Sequence, residues 1–562
     1  MWRQLINGVF CLLIITGCNW NHSSEVPTMT YRISAQSGKI HVQMVWDGKG
    51  RDSAVFELPD SWANQKNLYT SIHNLHFSKW GVTLDSSSAP HKLVVRYAED
   101  QPIFIEYDVE QDWEGPLNRS NYYRPIVNAD YFHFVGNTAL LLPDSANSDI
   151  KALLHWDEAI NDGALYSSLG VLKPGDKILV EAAGLDEALF TGGDFRVDTI
   201  EWKQQKIVTA IQGDWNFSDK DWQAMILKAV ALQRSFWNDL DIPYYFISLV
   251  PVETKGQGLS YGGTCLHQGF ATFLSSNAEL TDRNVQHLYY HEMMHEWIGR
   301  QLIMADPEES MYWFSEGFTE FFSYRMMQKA GLLDDQSYLD VANEALYNYY
   351  LSPVRDMSFH DMPDAFWNDP AARRLPYDKG FAVALLLEYV DLSHSIEGDG
   401  LTATMRGLLS EAEKDPTFRV SAASLPERMW LESDVEARTD SVLMNVLYEG
   451  GLLEFPDSLK PCVRVEKKMM GAFELGFTFS KDDNTIVSVL PGSQAYDAEL
   501  RKGQIIKQRS IYYNNIQLPV MLVILADGEE KAVQYFPESK DRVEVPQLYR
   551  DTRKECQETI SN

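Results

Sequence analysis

Cysteine is scarce: the 562 residues hold five, too few for a disulfide scaffold. Positive charge is also short, with 49 Lys plus Arg against 80 Asp plus Glu, a net charge of −31. A surface this acidic repels a phosphate backbone, which removes nucleic acid from the expected partners. No internal run approaches the roughly 18 uncharged apolar residues of a membrane-spanning helix, which excludes a polytopic membrane protein. There is no internal repeat and no low-complexity tract, so the chain is not a repeat array. What is present is 45% hydrophobic and 12% aromatic residues, enough to bury several cores. At roughly 100–200 residues per domain the length suggests about three or four domains.

The N-terminus carries one basic residue, Arg3, then an apolar run through Val9-Phe10-Cys11-Leu12-Leu13-Ile14-Ile15, and exits on Thr16-Gly17-Cys18. A short basic start, an apolar segment and small residues at the exit describe a secretory signal. The cysteine after Thr-Gly resembles the lipobox of bacterial lipoproteins. That resemblance implies removal of residues 1–17, acylation of Cys18, a polar tether over 18–28, and a location outside the cytoplasm, anchored to a bacterial membrane by lipid alone.

From 29 to about 212 the pattern is strand after strand. Ile40–Val45, Lys92–Tyr97 and Ile103–Tyr107 are β-branched and aromatic and are bounded by Gly, Pro and Asp, which predicts an all-β domain. The character changes near Asp214. Trp222, Ile226, Ala229, Leu232 and Phe236 fall at helical spacing, a β run follows at Tyr244–Val250, and helices dominate from Thr281, a candidate N-cap, to about Gly451. Short strands return over 460–556. There Asp527-Gly528, between Val520–Leu525 and Ala532–Phe536, signals a hairpin.

The segment that carries chemistry is His291-Glu292-Met293-Met294-His295. Two histidines at i and i+4 share one helical face, so both rings reach a single ion, and Glu292 stands beside them as a general base. A catalytic zinc needs three protein ligands and one open position. Glu316, in Trp313-Phe-Ser-Glu-Gly-Phe-Thr-Glu320, follows His295 after 20 intervening residues, room for a helix end, a loop and an antiparallel return. Glu320, one turn further, is a candidate acceptor for the second N–H of His291 or a solvent-facing carboxylate.

His291–Gly299 followed by Glu316-Gly-Phe-Thr resembles the gluzincin metallopeptidases, in particular the aminopeptidase N-like enzymes and the glycyl aminopeptidases that carry a C-terminal PDZ domain. The resemblance implies Zn2+ held by His291, His295 and Glu316, with Glu292 as base and then acid. The His295-to-Glu316 spacing is slightly longer than is usual in the aminopeptidase N-like group. Leu375-Pro-Tyr-Asp-Lys-Gly380, ahead of the apolar helix from Phe381, resembles the families' Tyr-x-Lys-Gly segment, which implies Tyr377 as the oxyanion donor. Leu259–His267 lies where these families carry a glycine-rich edge strand. Gly262 and Gly263 would let a substrate backbone pair there, while Thr264 and Cys265 stand in place of the glutamate that binds a free amine. Leu475-Gly-Phe477, Val489–Ala495 and Leu500–Gly503 resemble a PDZ domain of the bacterial protease type. It is bracketed by Cys462 and Cys556, a candidate disulfide.

The expectation is a multidomain α+β protein. An all-β domain over 29–212 precedes a thermolysin-like, mostly helical zinc-peptidase domain over 213–455 and a PDZ-like β domain over 460–556. The expected activity is hydrolysis of peptides or proteins, favoured as an aminopeptidase, with a possible chain-end ligand at the PDZ-like domain. Three readings compete with it: an endopeptidase of the same clan, an enzyme acting on other amides or esters, and a non-catalytic PDZ-type binding lipoprotein with a structural zinc.

Overall fold

The computed structural model describes residues 29–551, apart from 37, 48–52, 64, 78–82, 86–90, 98–101, 144–149, 159–162, 241, 255–257, 395–399, 430, 432, 460–462, 481–482, 514 and 527. Cys18, Cys462 and Cys556, and with them the lipidation and disulfide expectations, lie outside the described residues.

The N-terminal region is β-rich. Its largest sheet runs Lys177–Glu181, Lys151–Glu158, Met29–Gln36, Lys39–Trp46, Ile103–Val109, Ile72–Phe77. Period-2 patterning sets its faces: Ile40, Val42, Met44 and Trp46 are buried while Gln43 between them is exposed. With a four-stranded sheet that includes Ser53–Glu57, and a five-stranded one that includes Tyr131–Val135, this face encloses a core of Tyr31, Trp46, Phe56, Tyr107 and Trp156.

A second five-stranded sheet positions the site. It contains β1 (Arg196–Trp202), β2 (Gln205–Ile211), β3 (Tyr244–Val252), β4 (Tyr261–Leu266) and β5 (Gly269–Ser275), in the order β1-β2-β3-β5-β4. β2, β3 and β5 are parallel, and β4 pairs antiparallel with β5 along the edge. Every residue of β5 is buried, as a strand covered on both faces must be. Helix α1 (Asp219–Trp237) makes the crossover between β2 and β3. Ser218 accepts from the Asp221 N–H at its start, and Asn238 ends it in the left-handed region.

The helical part packs on this sheet. Helix α2 (Arg283–Met294) is capped by Asp282, which accepts from the Asn284 N–H, one residue after the expected Thr281. Helix α3 (Gly317–Lys329) stops at Ala330 before Gly331, φ +70°. Next come α4 (Asp335–Tyr350), α5 (Pro370–His394), α6 (Leu401–Lys414) and α7 (Ser433–Tyr448). Helix α5 begins earlier than the sequence suggested. Tyr377 therefore lies inside a helix rather than ahead of one, and Pro376 is accommodated within it.

The chain closes on β-structure. The long pair Val463–Phe473 and Glu538–Arg550 joins the helical core, where Asn343 of α4 bonds both the N–H and the C=O of Leu548. A smaller core of Phe477, Ile486, Leu522 and Tyr535 lies between these two strands in sequence. It includes the expected hairpin, Val520–Ala526 with Glu529–Tyr535.

Candidate active site

Helices α2 and α3 lie side by side and bring the expected ligands together. His291 Nε2 is 3.4 Å, and His295 Nε2 3.8 Å, from the same Glu316 oxygen. Two donors held about 2.1 Å from a tetrahedral ion lie roughly 3.4 Å apart, so this spacing suits one zinc. The tautomers agree. His291 Nδ1 lies 3.0 Å from Glu320 Oε2, and His295 Nδ1 lies 3.0 Å from the Ile298 carbonyl. Each Nδ1–H is thereby committed to an acceptor, which leaves each Nε2, on the Glu316 side, as the atom that would ligate an ion. Donor set, spacing and outer hydrogen bonds all fit Zn2+.

The electrostatics follow from packing carboxylates and imidazoles out of water. Burial alone would lower the His291 pKa, but hydrogen bonds donated to the Glu316 and Glu320 carboxylates push it up to about 10. Burial, with the Glu316 charge in support, raises Glu292 to about 7 against the pull of His291. Burial would raise the Glu320 carboxyl too, yet the His287 and His291 rings beside it hold it well below the carboxylate range. Glu320 is thus the outer acceptor of His291 rather than a solvent-facing group.

Tyr377 reaches the site from α5. Its ring lies 6.0 Å from that of His291, and its hydroxyl is near enough to Glu316 to help hold that carboxylate charged. Burial and Glu316 push the phenol far above its ordinary range, so it stays protonated. Two residues just beyond it on α5 fix it in place. Lys379 is fully buried with its ammonium bonded to the Arg355 and Met357 carbonyls, and Gly380 lies backbone to backbone against Gly317.

Gly262 and Gly263 lie on β4, the free edge beside α2. A Cβ at 262 would run into the Tyr122 hydroxyl, and one at 263 would come within 2.5 Å of the Phe270 ring. The Tyr123 hydroxyl donates to the Gly263 carbonyl at 2.6 Å. Cys265 is a free thiol kept neutral by burial, its Sγ 3.9 Å from a Glu296 oxygen.

Sequence reading missed five contributors. His287 continues the four-residue spacing of His291 and His295, a signal that was there to read; its Nε2 lies 3.1 Å from Glu320 and its ring stacks on Tyr324. Tyr122 and Tyr123 arrive from the N-terminal region, about 140 residues from the strand they cover, with no local signal. Arg374 and Asp378, one turn apart on α5, form a two-bond fork at 2.8 Å each.

Residues 284–371, which span α2 and the Glu316 segment, match the family model of M61 glycyl aminopeptidase. No curated protein matches. Among solved structures, an aminopeptidase N family protein from Idiomarina loihiensis superposes with a TM-score of 0.67 at 16% identity, covering 94% of this chain and 99% of that one. An M1 zinc metallopeptidase from Deinococcus radiodurans gives 0.47 at 14% identity, covering 77% and 95%. The chain thus has a β-rich N-terminal region and a helical part arranged as in the aminopeptidase N fold. With the family match lying across the ligand-bearing helices, it is a zinc metallopeptidase that resembles the gluzincin aminopeptidases.

Proposed function

We propose that the protein is an extracytoplasmic peptidase, favoured as an aminopeptidase, in which His291, His295 and Glu316 hold Zn2+. The convergence of these three groups beside a buried Glu292 carries the reading. A purely structural site has no use for a base at that position, which disfavours a non-catalytic binding lipoprotein. Zn2+ supplies Lewis acidity, polarising the scissile carbonyl and acidifying the attacking water. Glu292, on α2 beside the groups that would hold the ion, takes the proton of that water and returns it to the leaving amine. Tyr377, held protonated, donates to the oxyanion. Glu320 fixes the His291 ring.

Two observations bear on which bond is cut. Tyr123 occupies an outward carbonyl of β4, so a chain cannot pair along the whole edge, which favours removal of a terminal residue. The neutral Cys265 stands where the resembling families place an amine-binding glutamate, and this is what keeps the endopeptidase reading in view. The helical part would then be a thermolysin-like domain. The unit within 475–536 would be PDZ-like: Leu475-Gly476-Phe477 lies against Ser493 and Ala495, with the Leu490 N–H donating to the Gly476 carbonyl. Such a unit would hold a chain end. The Thr16-Gly17-Cys18 exit supports a lipid anchor on Cys18.

Glu292→Gln tests the mechanism. Zinc content should be unchanged and turnover should fall by about 10²–10⁴-fold, the usual worth of a general base. Parent-like hydrolysis by that variant refutes the assignment. A peptide with a free N-terminus and its acetylated twin test the direction: equal cleavage of the acetylated peptide at an internal bond makes the enzyme an endopeptidase.

A further inference from the structure

The zinc site opens into a cavity of about 330 Å³ lined in part by Leu288, Phe381, Arg283 and Arg374. The two arginines differ in how they are held. Arg374 is fixed: Nε and Nη2 each bond Asp378 at 2.8 Å, and Asp378 is only 3% accessible while the Arg374 side chain is 56% accessible. A guanidinium carries five N–H donors, and among the described residues Arg374 makes no hydrogen bond beyond these two. Arg283, the first residue of α2, is loosely held: among the described residues its one ion-pair contact is Glu344 at 3.9 Å, with the two side chains 49% and 63% exposed.

Beyond Glu292 and Glu320 at the zinc site, which also line it, the cavity offers a ligand these two cationic groups. Asp378 is covered and acts through the arginine it orients, and Glu344 leans into solvent at 63% exposure. A pre-oriented guanidinium with spare donors is the group best suited to a carboxylate. The distance is short. The Arg374 guanidinium carbon is 5.7 Å from the Tyr377 ring centre, itself 6.0 Å from the His291 ring. An extended peptide advances about 3.5 Å per residue, which places Arg374 within about three residues of the scissile bond.

We propose that Arg374, oriented by Asp378 and assisted by Arg283, is a specificity-determining residue that binds a substrate carboxylate within three residues of the scissile bond. The carboxylate is either the free C-terminus of a short peptide or an acidic side chain. This rests on the peptidase reading for its substrate class but is tested by binding rather than turnover.

The test is calorimetric titration of zinc-loaded Glu292→Gln protein with three peptides: Ala-Ala-Ala as the free acid, its C-terminal amide, and Ala-Asp-Ala amide. At least one carboxylate-bearing peptide should bind about 10–100-fold more tightly than the neutral amide, the worth of a charge-assisted fork. Preference for the free acid identifies a chain end, and preference for Ala-Asp-Ala amide identifies an acidic side chain. Because Arg374→Gln alone would strand a buried carboxylate, the variant is Arg374→Gln/Asp378→Asn, a neutral pair of similar shape. In it the preference should vanish while binding of the neutral amide holds within about twofold. Arg283→Gln, at an exposed position, should reduce the preference without abolishing it. Equal binding of all three peptides by the Glu292→Gln protein overturns the proposal, as does a neutral-pair variant that weakens all three alike. If the parent cleaves nothing while the carboxylate preference persists, the peptidase reading fails and the subsite stands.

Discussion

Gly380→Ala should cripple the enzyme although no ligand is touched. Within a helix, alanine normally stabilises by about 1 kcal/mol over glycine. Here a Cβ at 380 would fall 2.8 Å from Gly317 Cα and closer still to the Trp313 carbonyl. Apolar carbons settle about 3.5–4.0 Å apart, so α5 must retreat from α3 by roughly 1 Å. Neither neighbour is a flexible side chain that can swing away. Tyr377 rides on α5 and Glu316 leads into α3, so the retreat carries the hydroxyl away from the carboxylate beside it. Misplacement by about 1 Å is enough to cost roughly 10²-fold in rate, and forcing backbones apart costs about 1–3 kcal/mol, which cancels or exceeds the helical gain. The assay is kcat/KM at saturating zinc together with thermal melting, and Gly407→Ala on α6 is the control, since a Cβ there meets nothing within 4 Å. The control should melt at or above the parent temperature with full activity, and Gly380→Ala should melt lower with about 1% of the activity. A Gly380→Ala protein as active and as stable as the control refutes the claim that this contact sets the oxyanion donor.

Zinc binding should release a proton. Without metal, His291 is protonated below about pH 10, and it must be neutral to ligate. Apparent affinity should therefore rise about tenfold per pH unit from 7 to 9, and calorimetry in buffers of different ionisation enthalpy should count about one proton per zinc; a pH-independent affinity contradicts this. Glu320→Ala removes the acceptor that orients His291 and should weaken zinc about 10–100-fold in chelator competition. Unchanged zinc affinity would make Glu320 a bystander.

The legible parts of the molecule were those whose signal is local. The clustering of three candidate ligands was readable because helical spacing fixes His291 against His295, and a second helix opens on Glu316. Helix α1 was readable from its apolar stripe, and the 520–535 hairpin from Asp527-Gly528. Errors were small where a cap was ambiguous, as with Thr281 against Asp282. The start of α5 was misread because Pro376 argues for a break, and the sequence does not show how a folded environment tolerates a missing N–H.

The illegible parts were made by contacts between distant segments. Gly262 and Gly263 suggested an edge open to substrate, and β4 is indeed the edge. Yet the side chain that most needs glycine at 262 is Tyr122, and the group bonded to the 263 carbonyl is Tyr123. The N-terminal region therefore shapes the catalytic groove as well as preceding it in sequence. The same holds for Arg374. On one helix it reads as half of an ordinary i,i+4 ion pair, worth little at a surface. Only the packing of α2, α4 and α5 round one cavity buries its partner and leaves the guanidinium facing the space a substrate must fill. Zinc chemistry is local enough to be written in a nine-residue motif, whereas the choice of substrate depends on which remote side chains the fold brings to the rim.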